Sequence, residues 1–230
     1  MSSLNSIEAY KKAIVAEYII AKILYNYYYN YFKGQCYIKI YHNNTINQYD
    51  IDLELKIITK KTLEEKYTFF IECKLIENNN NLCIYPNAGT GNGLNKIIDY
   101  VKNKLKINNN KLNIENTIEN EEKKVDVIFT NLKLDDSKLY IAYYKKGNKK
   151  LIDLINKIYD KNTWKTFYNK QNKKVNIIYL TSKDFDESIE LDDNYIDEYN
   201  THYNAIKNYN ISQKDLIDSY IESRFKDLNI

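Results

Sequence analysis

Residues 48–58 read QYDIDLELKII and residues 66–76 read KYTFFIECKLI. In the first stretch Ile51, Leu53, Leu55 and Ile57 alternate with Asp50, Asp52, Glu54 and Lys56. That period of two puts one face of a strand in a core and the other toward water. The second stretch is apolar through Phe69, Phe70 and Ile71 and then carries Glu72-Cys73-Lys74. Stray charges are costly on so apolar a strand, which weighs against a merely solvated cross-strand face. Glu72 and Lys74 share one side of their strand, and Cys73 points to the other, toward a core. Asp52 lies on the polar side of the preceding strand, so antiparallel pairing brings three charged groups to one sheet edge. Asp50 is an alternative first acid on the same face; the apolar flanks of Asp52 favour the latter. Asp52, Glu72 and the backbone carbonyl of Cys73 make an oxygen-rich set suited to Mg²⁺, with Mn²⁺ as a substitute, because such hard cations take oxygen ligands and keep several waters. Lys74 beside them can orient a water and neutralise charge developing on a phosphate. The chemistry that fits is phosphodiester hydrolysis.

Outward from this pair, residues 5–32 read as a helix. Asn5 and Glu8 stand in a capping-box relation, apolar residues recur from Ile7 to Tyr28 at three- and four-residue steps, and Gly34 ends the run. Residues 36–42 form a strand before an Asn-rich turn. Residues 82–85 are read as an extension of the sheet. The loop Gly89-Thr90-Gly91-Asn92-Gly93 leads into a short helix over 94–106; it is neither a GxGxxG nor a P-loop motif and is read first as a loop. Residues 107–124 are polar and repetitive. The largely apolar VDVIFTN of 125–131 suits a buried parallel strand. Strands over 139–144 and 175–181, a helix over 149–160 and C-terminal helices, clearest at 212–227, complete an α/β chain. With no internal repeat and no linker, residues 1–230 are expected to form a single domain.

A helix, a β-meander with an acid on one strand and Glu-x-Lys on the next, then a helix and a strand: this order resembles the PD-(D/E)xK nuclease superfamily. The resemblance covers about residues 5–131 and departs from the pattern in that no Pro precedes the first acid. It implies a restriction-endonuclease-like αβββαβ core, with 132–230 as an elaboration carrying helical additions. It also implies Asp52 and Glu72 as metal ligands and Lys74 as the residue that positions water. In many members a Glu on the first helix joins the metal site, and Glu17 matches that place. A helix-edge carboxylate paired with a lysine such as Lys22 is the alternative reading of Glu17. The size resembles a type II restriction enzyme, which implies double-stranded DNA as substrate, a homodimer for cutting both strands, and a cognate DNA methyltransferase in the same system. The rivals are a structure-selective nuclease (a Holliday junction resolvase or repair enzyme) and a catalytically silent DNA-binding module.

Composition narrows the field. Asn, Ile and Lys number 33 each and Tyr 24, so four residue types with AT-rich codons fill 123 of 230 positions, and runs of them carry little meaning. Two histidines, His42 and His202, and three cysteines, Cys36, Cys73 and Cys83, are too few or too scattered for a His-rich zinc site, a disulfide framework or a Cys₄ site. His42, at a strand end beside the Asn-rich turn, is read as structural, and His202 is assigned no role. The N-terminal apolar stretch is broken by Glu17 and Lys22 and is no signal peptide; a reducing cytoplasm is expected. Net charge is only +3, but it is partitioned. Tyr143–Lys174 holds ten lysines against Asp153 and Asp160, and Lys183–Asn200 holds eight acids against one lysine. Lys145, Lys146, Lys149 and Lys150, with Lys96 near the glycine loop, are the candidate phosphate contacts, and Tyr143, Tyr144, Trp164 and Tyr168 are candidates for stacking or packing. Two solvated faces that pair with each other is the plainer reading. The tyrosines of 25–32 are assigned to packing.

Overall fold

The computed structural model describes residues 2–42, 52–76, 82–84, 125–144, 160–168, 172 and 174–229. The Asn-rich turn with Asp50, the glycine loop, the expected helices over 94–106 and 149–160, and Lys96, Lys145, Lys146, Lys149 and Lys150 lie outside the described residues.

The first helix, α1, spans Ser2–Tyr31. Ile14, Val15, Ile19, Ile20, Ile23 and Leu24 are all buried, on every side of the helix rather than along one stripe. A helix that is apolar all round must be enclosed, and α1 packs both on the sheet and on two later helices, α2 (Asp193–Ile206) and α3 (Lys214–Leu228). Its polar residues leave by specific exits. Lys22 meets Glu198 of α2 at 2.6 Å, and the Lys11 ammonium donates to the Lys207 carbonyl at 2.5 Å. No described helix is long and apolar enough to cross a membrane. The expected stop is present: Gly34 adopts φ +68°, and its N–H donates to the Tyr29 carbonyl at 3.0 Å. The expected start is corrected. The helix already runs at Ser2, so Glu8 lies inside it and pairs with Lys11 at 3.5 Å instead of capping it with Asn5.

Among the described residues nine strands follow in chain order: β1 (Cys36–His42), β2 (Leu53–Thr59), β3 (Glu65–Ile76), β4 (Leu82–Ile84), β5 (Val125–Lys133), β6 (Lys138–Tyr144), β7 (Lys165–Tyr168), β8 (Lys174–Leu180) and β9 (Glu187–Glu190). Six of them form a mixed sheet in the order β1-β2-β3-β5-β6-β9. β1, β2 and β3 make an antiparallel meander. β5 runs parallel to β3, which requires a long crossover, as expected for a buried 125–131 strand. Leu53 lies opposite Ile71 and Leu55 opposite Phe69; these residues, with Ile57, Cys73, Ile128 and Leu132, form the core under α1. The alternation read from 48–58 thus holds over β2. Residues 82–84 do not extend this sheet. They pair with β8 in a separate three-stranded sheet, β4-β8-β7.

The C-terminal helices are tied to the edge of the sheet. Asn229, just past α3, accepts from the Ile40 N–H at 2.7 Å and donates to the Ile40 carbonyl at 2.5 Å.

Candidate active site

Asp52 stands one residue before β2, beside the register pair Leu53–Ile71. Its Oδ2 accepts from the Cys73 N–H at 2.7 Å, so the strand carrying Glu-x-Lys is clasped to the first acid through its own backbone. Glu72 is 6% exposed. Its Oε1 is bonded by the Lys74 ammonium, whereas Oε2 is buried with no hydrogen-bond partner among the described residues. The Cys73 side chain lies on the core side, as the strand period demands.

Electrostatics bind the group together. Burial pushes the Asp52 carboxyl well above the ordinary 3.8; repulsion from Glu72 and then Glu17 adds to this, while Lys74 and the Cys73 N–H oppose it. Burial pulls the Lys74 ammonium down, but Glu72 and Asp52 more than offset that, leaving it above 10.5. Lys74 is therefore a fixed positive charge, suited to orienting a water or meeting a phosphate rather than removing a proton. The Cys73 thiol is raised well above 9.0 by burial, then by Asp52 and Glu17.

Glu17 joins this group from α1, and its partner is not Lys22, which is committed to Glu198. Glu17 Oε2 meets His42 Nε2 at 2.8 Å. The His42 ring lies flat on Phe225 of α3, centroids 4.5 Å apart with the planes 2° from parallel. Sequence reading missed His42 as a neighbour of the site, because its partners are 25 residues back and far ahead at Phe225. It also missed Thr130 of β5, whose hydroxyl donates to the Glu72 carbonyl at 3.1 Å and steadies the motif from below.

Each of the three carboxylates thus has one oxygen held by the protein. The Cys73 N–H holds Asp52, Lys74 holds Glu72 and His42 holds Glu17. Among the described residues no three His, Cys, Asp or Glu side chains close into a ready-made metal cage. A Mg²⁺ site does not need one, since that ion is held by one or two carboxylates and fills its remaining positions with waters and substrate. The orphaned, buried Oε2 of Glu72 fits such an ion, because an unmet buried acceptor costs about 1–3 kcal/mol until something satisfies it.

The second expected surface changes. Tyr143 does not face outward for stacking: it bonds Tyr28 at 3.1 Å and Glu187 of β9, and so belongs to the packing between α1 and the sheet. Lys165 lies over the Tyr179 ring at 5.1 Å. The tyrosine run of α1 packs only in part: Tyr28 is buried and stacked on Phe69 at 5.4 Å, whereas Tyr29 and Tyr31 are exposed. His202 is buried between Tyr220 and Glu198 and is structural.

No known protein family, curated protein or solved structure matches the chain.

Proposed function

We propose that the protein is a metal-dependent phosphodiesterase of the PD-(D/E)xK type. More narrowly, it is a Mg²⁺-dependent endonuclease acting on double-stranded DNA in the manner of a type II restriction enzyme. The observation that carries the reading is the meeting of Asp52, Glu72 and Lys74 where β2 and β3 adjoin, with the buried Oε2 of Glu72 left open. The helix, antiparallel meander and parallel fourth strand of the sheet support it as a restriction-endonuclease-like core.

In this reading Asp52, Glu72 and the Cys73 carbonyl hold the cation, and Glu17 assists from α1. When bound, the ion supplies Lewis acidity and lowers the pKa of coordinated water. Lys74 holds the attacking water and the phosphate oxygens in register. The water oxygen bonds to phosphorus, the bridging oxygen leaves with the strand end, and a proton is passed to solvent. Lys145, Lys146, Lys149, Lys150 and Lys96 are the proposed contacts to the DNA backbone, and a two-fold pair of chains is the proposed means of cutting both strands.

The test is incubation with Mg²⁺ and a long mixed-sequence duplex beside Lys74→Ala. Discrete fragments from the unmutated protein alone support the restriction reading. A smear, or cutting confined to branched DNA, moves the assignment to a nonspecific or junction-resolving nuclease. No cleavage of any of these substrates refutes the enzyme.

A further inference from the structure

Asn131 lies on β5 directly across from Lys74 in the parallel register, and Phe129 lies across from Glu72. Register partners in a sheet present their side chains to the same face. Ile128 and Leu132 of β5 and Ile71 and Cys73 of β3 belong to the core under α1. Asn131 therefore shares the opposite face with Glu72 and Lys74. It is 1% exposed, and its Oδ1 is buried with no hydrogen-bond partner among the described residues. Two buried acceptor oxygens without a partner among the described residues, Glu72 Oε2 and Asn131 Oδ1, thus share this face, one two residues before Lys74 on β3 and the other across from Lys74 on β5. Most buried polar groups in a folded protein have a partner, so one without calls for a ligand or water to complete it.

We propose that Asn131 is a further residue of the site: its amide oxygen accepts a hydrogen bond from the water that Lys74 orients, while Glu72 Oε2 is left to the cation. The site then spans three strands, β2, β3 and β5. This inference rests on the nuclease reading, in which that water attacks phosphorus. A neutral amide suits the task, because it fixes the water's orientation without adding a further negative charge to those of Asp52, Glu72 and Glu17.

The experiment compares wild type, Asn131→Val and Asn131→Asp in three measurements: melting in EDTA, Mg²⁺ titration by calorimetry, and cleavage kinetics on a duplex the wild type cuts. Val removes the unmet oxygen at similar shape, so Asn131→Val melts at or above the wild-type temperature in EDTA. It cuts about 10–100-fold more slowly at saturating DNA and Mg²⁺, as loss of a supporting polar contact commonly does, with KM for DNA unchanged. Asn131→Asp keeps an acceptor oxygen, binds Mg²⁺ more tightly than wild type and retains measurable cutting. Wild-type kcat in Asn131→Val overturns the assignment, as does a lower melting temperature in EDTA, which marks the amide as structural. If an active wild type is matched by both variants, this inference alone falls. If the wild type neither binds Mg²⁺ nor cuts, the nuclease reading falls and takes the inference with it.

Discussion

Replacing Asp52 by Asn separates what the site costs the fold from what it contributes to chemistry. The Asn side chain keeps an oxygen for the Cys73 N–H, 2.7 Å from the present carboxylate, and removes one of the negative charges that crowd with Glu72 and Glu17. Since the Asp52 carboxyl holds its proton above the ordinary 3.8, the folded state binds that proton more tightly than the unfolded chain does. The charge therefore costs nothing below pH 3.8 and costs progressively more as pH rises toward the folded value. Asp52→Asn is expected to be more stable than wild type by about 1 kcal/mol in EDTA at pH 7, the usual gain when a strained functional group is relaxed. For a chain of this size that is about 2–4 °C in Tm. The gain shrinks as the buffer is taken toward pH 4. Mg²⁺ at ten times its Kd then stabilises the wild type by about 1.4 kcal/mol, or about 3–6 °C, and leaves the variant unmoved. Asp52→Ala, which strands the Cys73 N–H, falls about 1–3 kcal/mol below Asp52→Asn. Calorimetric melts with and without Mg²⁺ decide the matter. An Asn variant that melts below wild type in EDTA refutes the crowding argument, and one that keeps the Mg²⁺ shift refutes Asp52 as a ligand.

Three further outcomes are expected. Lys74→Ala lowers cleavage by about 10²–10³-fold while leaving Mg²⁺ binding in place, the loss seen when one preorganised donor is removed; calorimetry beside a kinetic assay checks both halves. Asn229→Ala releases α3 from β1 and costs about 1–3 kcal/mol, read as a lower denaturation midpoint at constant m-value. His202 titrates below 6.5, because burial outweighs its contact with Glu198. The unfolded chain takes up that proton first, so the His202 contribution to stability is complete above pH 6.5 and declines as pH falls through 6.5 toward the folded value. An NMR titration placing His202 above 6.5 contradicts this, as does an unchanged pH slope of stability in His202→Gln.

The parts of the fold legible in the sequence were those where a local pattern and the tertiary environment agree. Leu53, Leu55 and Ile57 alternate because one face of β2 meets α1, and VDVIFTN is apolar because β5 is central. Where two local solutions satisfy the same residues, the sequence does not choose between them. Glu8 serves as well in an ion pair with Lys11 as in a capping box, and Ser2 extends the helix past Asn5. The short strands β7 and β9, KTFY and ESIE, have too few residues to show a period and exist through their pairing with β8 and β6. At the site, Asp52, Glu72 and Lys74 could be found because spacing on two neighbouring strands brings them together. His42 and Thr130 could not, since only the packed chain sets them beside Glu17 and Glu72. One signal was readable and went unused: the polar Thr130-Asn131 ending an apolar strand.

The two outer strands of the six-stranded sheet bear on assembly. A bare strand edge recruits another chain by backbone pairing. Here the Asn229 amide occupies the outer backbone groups of Ile40 on β1. At the far side β9 is only four residues long, with a glutamate at each end. Among the described residues, the β1 border is thus capped at its middle and the β9 border is short and acidic, both of which disfavour continuation of the sheet by a second copy. In the proposed nuclease reading, a two-fold partner for cutting both DNA strands is then expected to dock on surfaces other than these two borders. Point mutations there would abolish the pairing without disturbing the strands that hold the proposed catalytic groups.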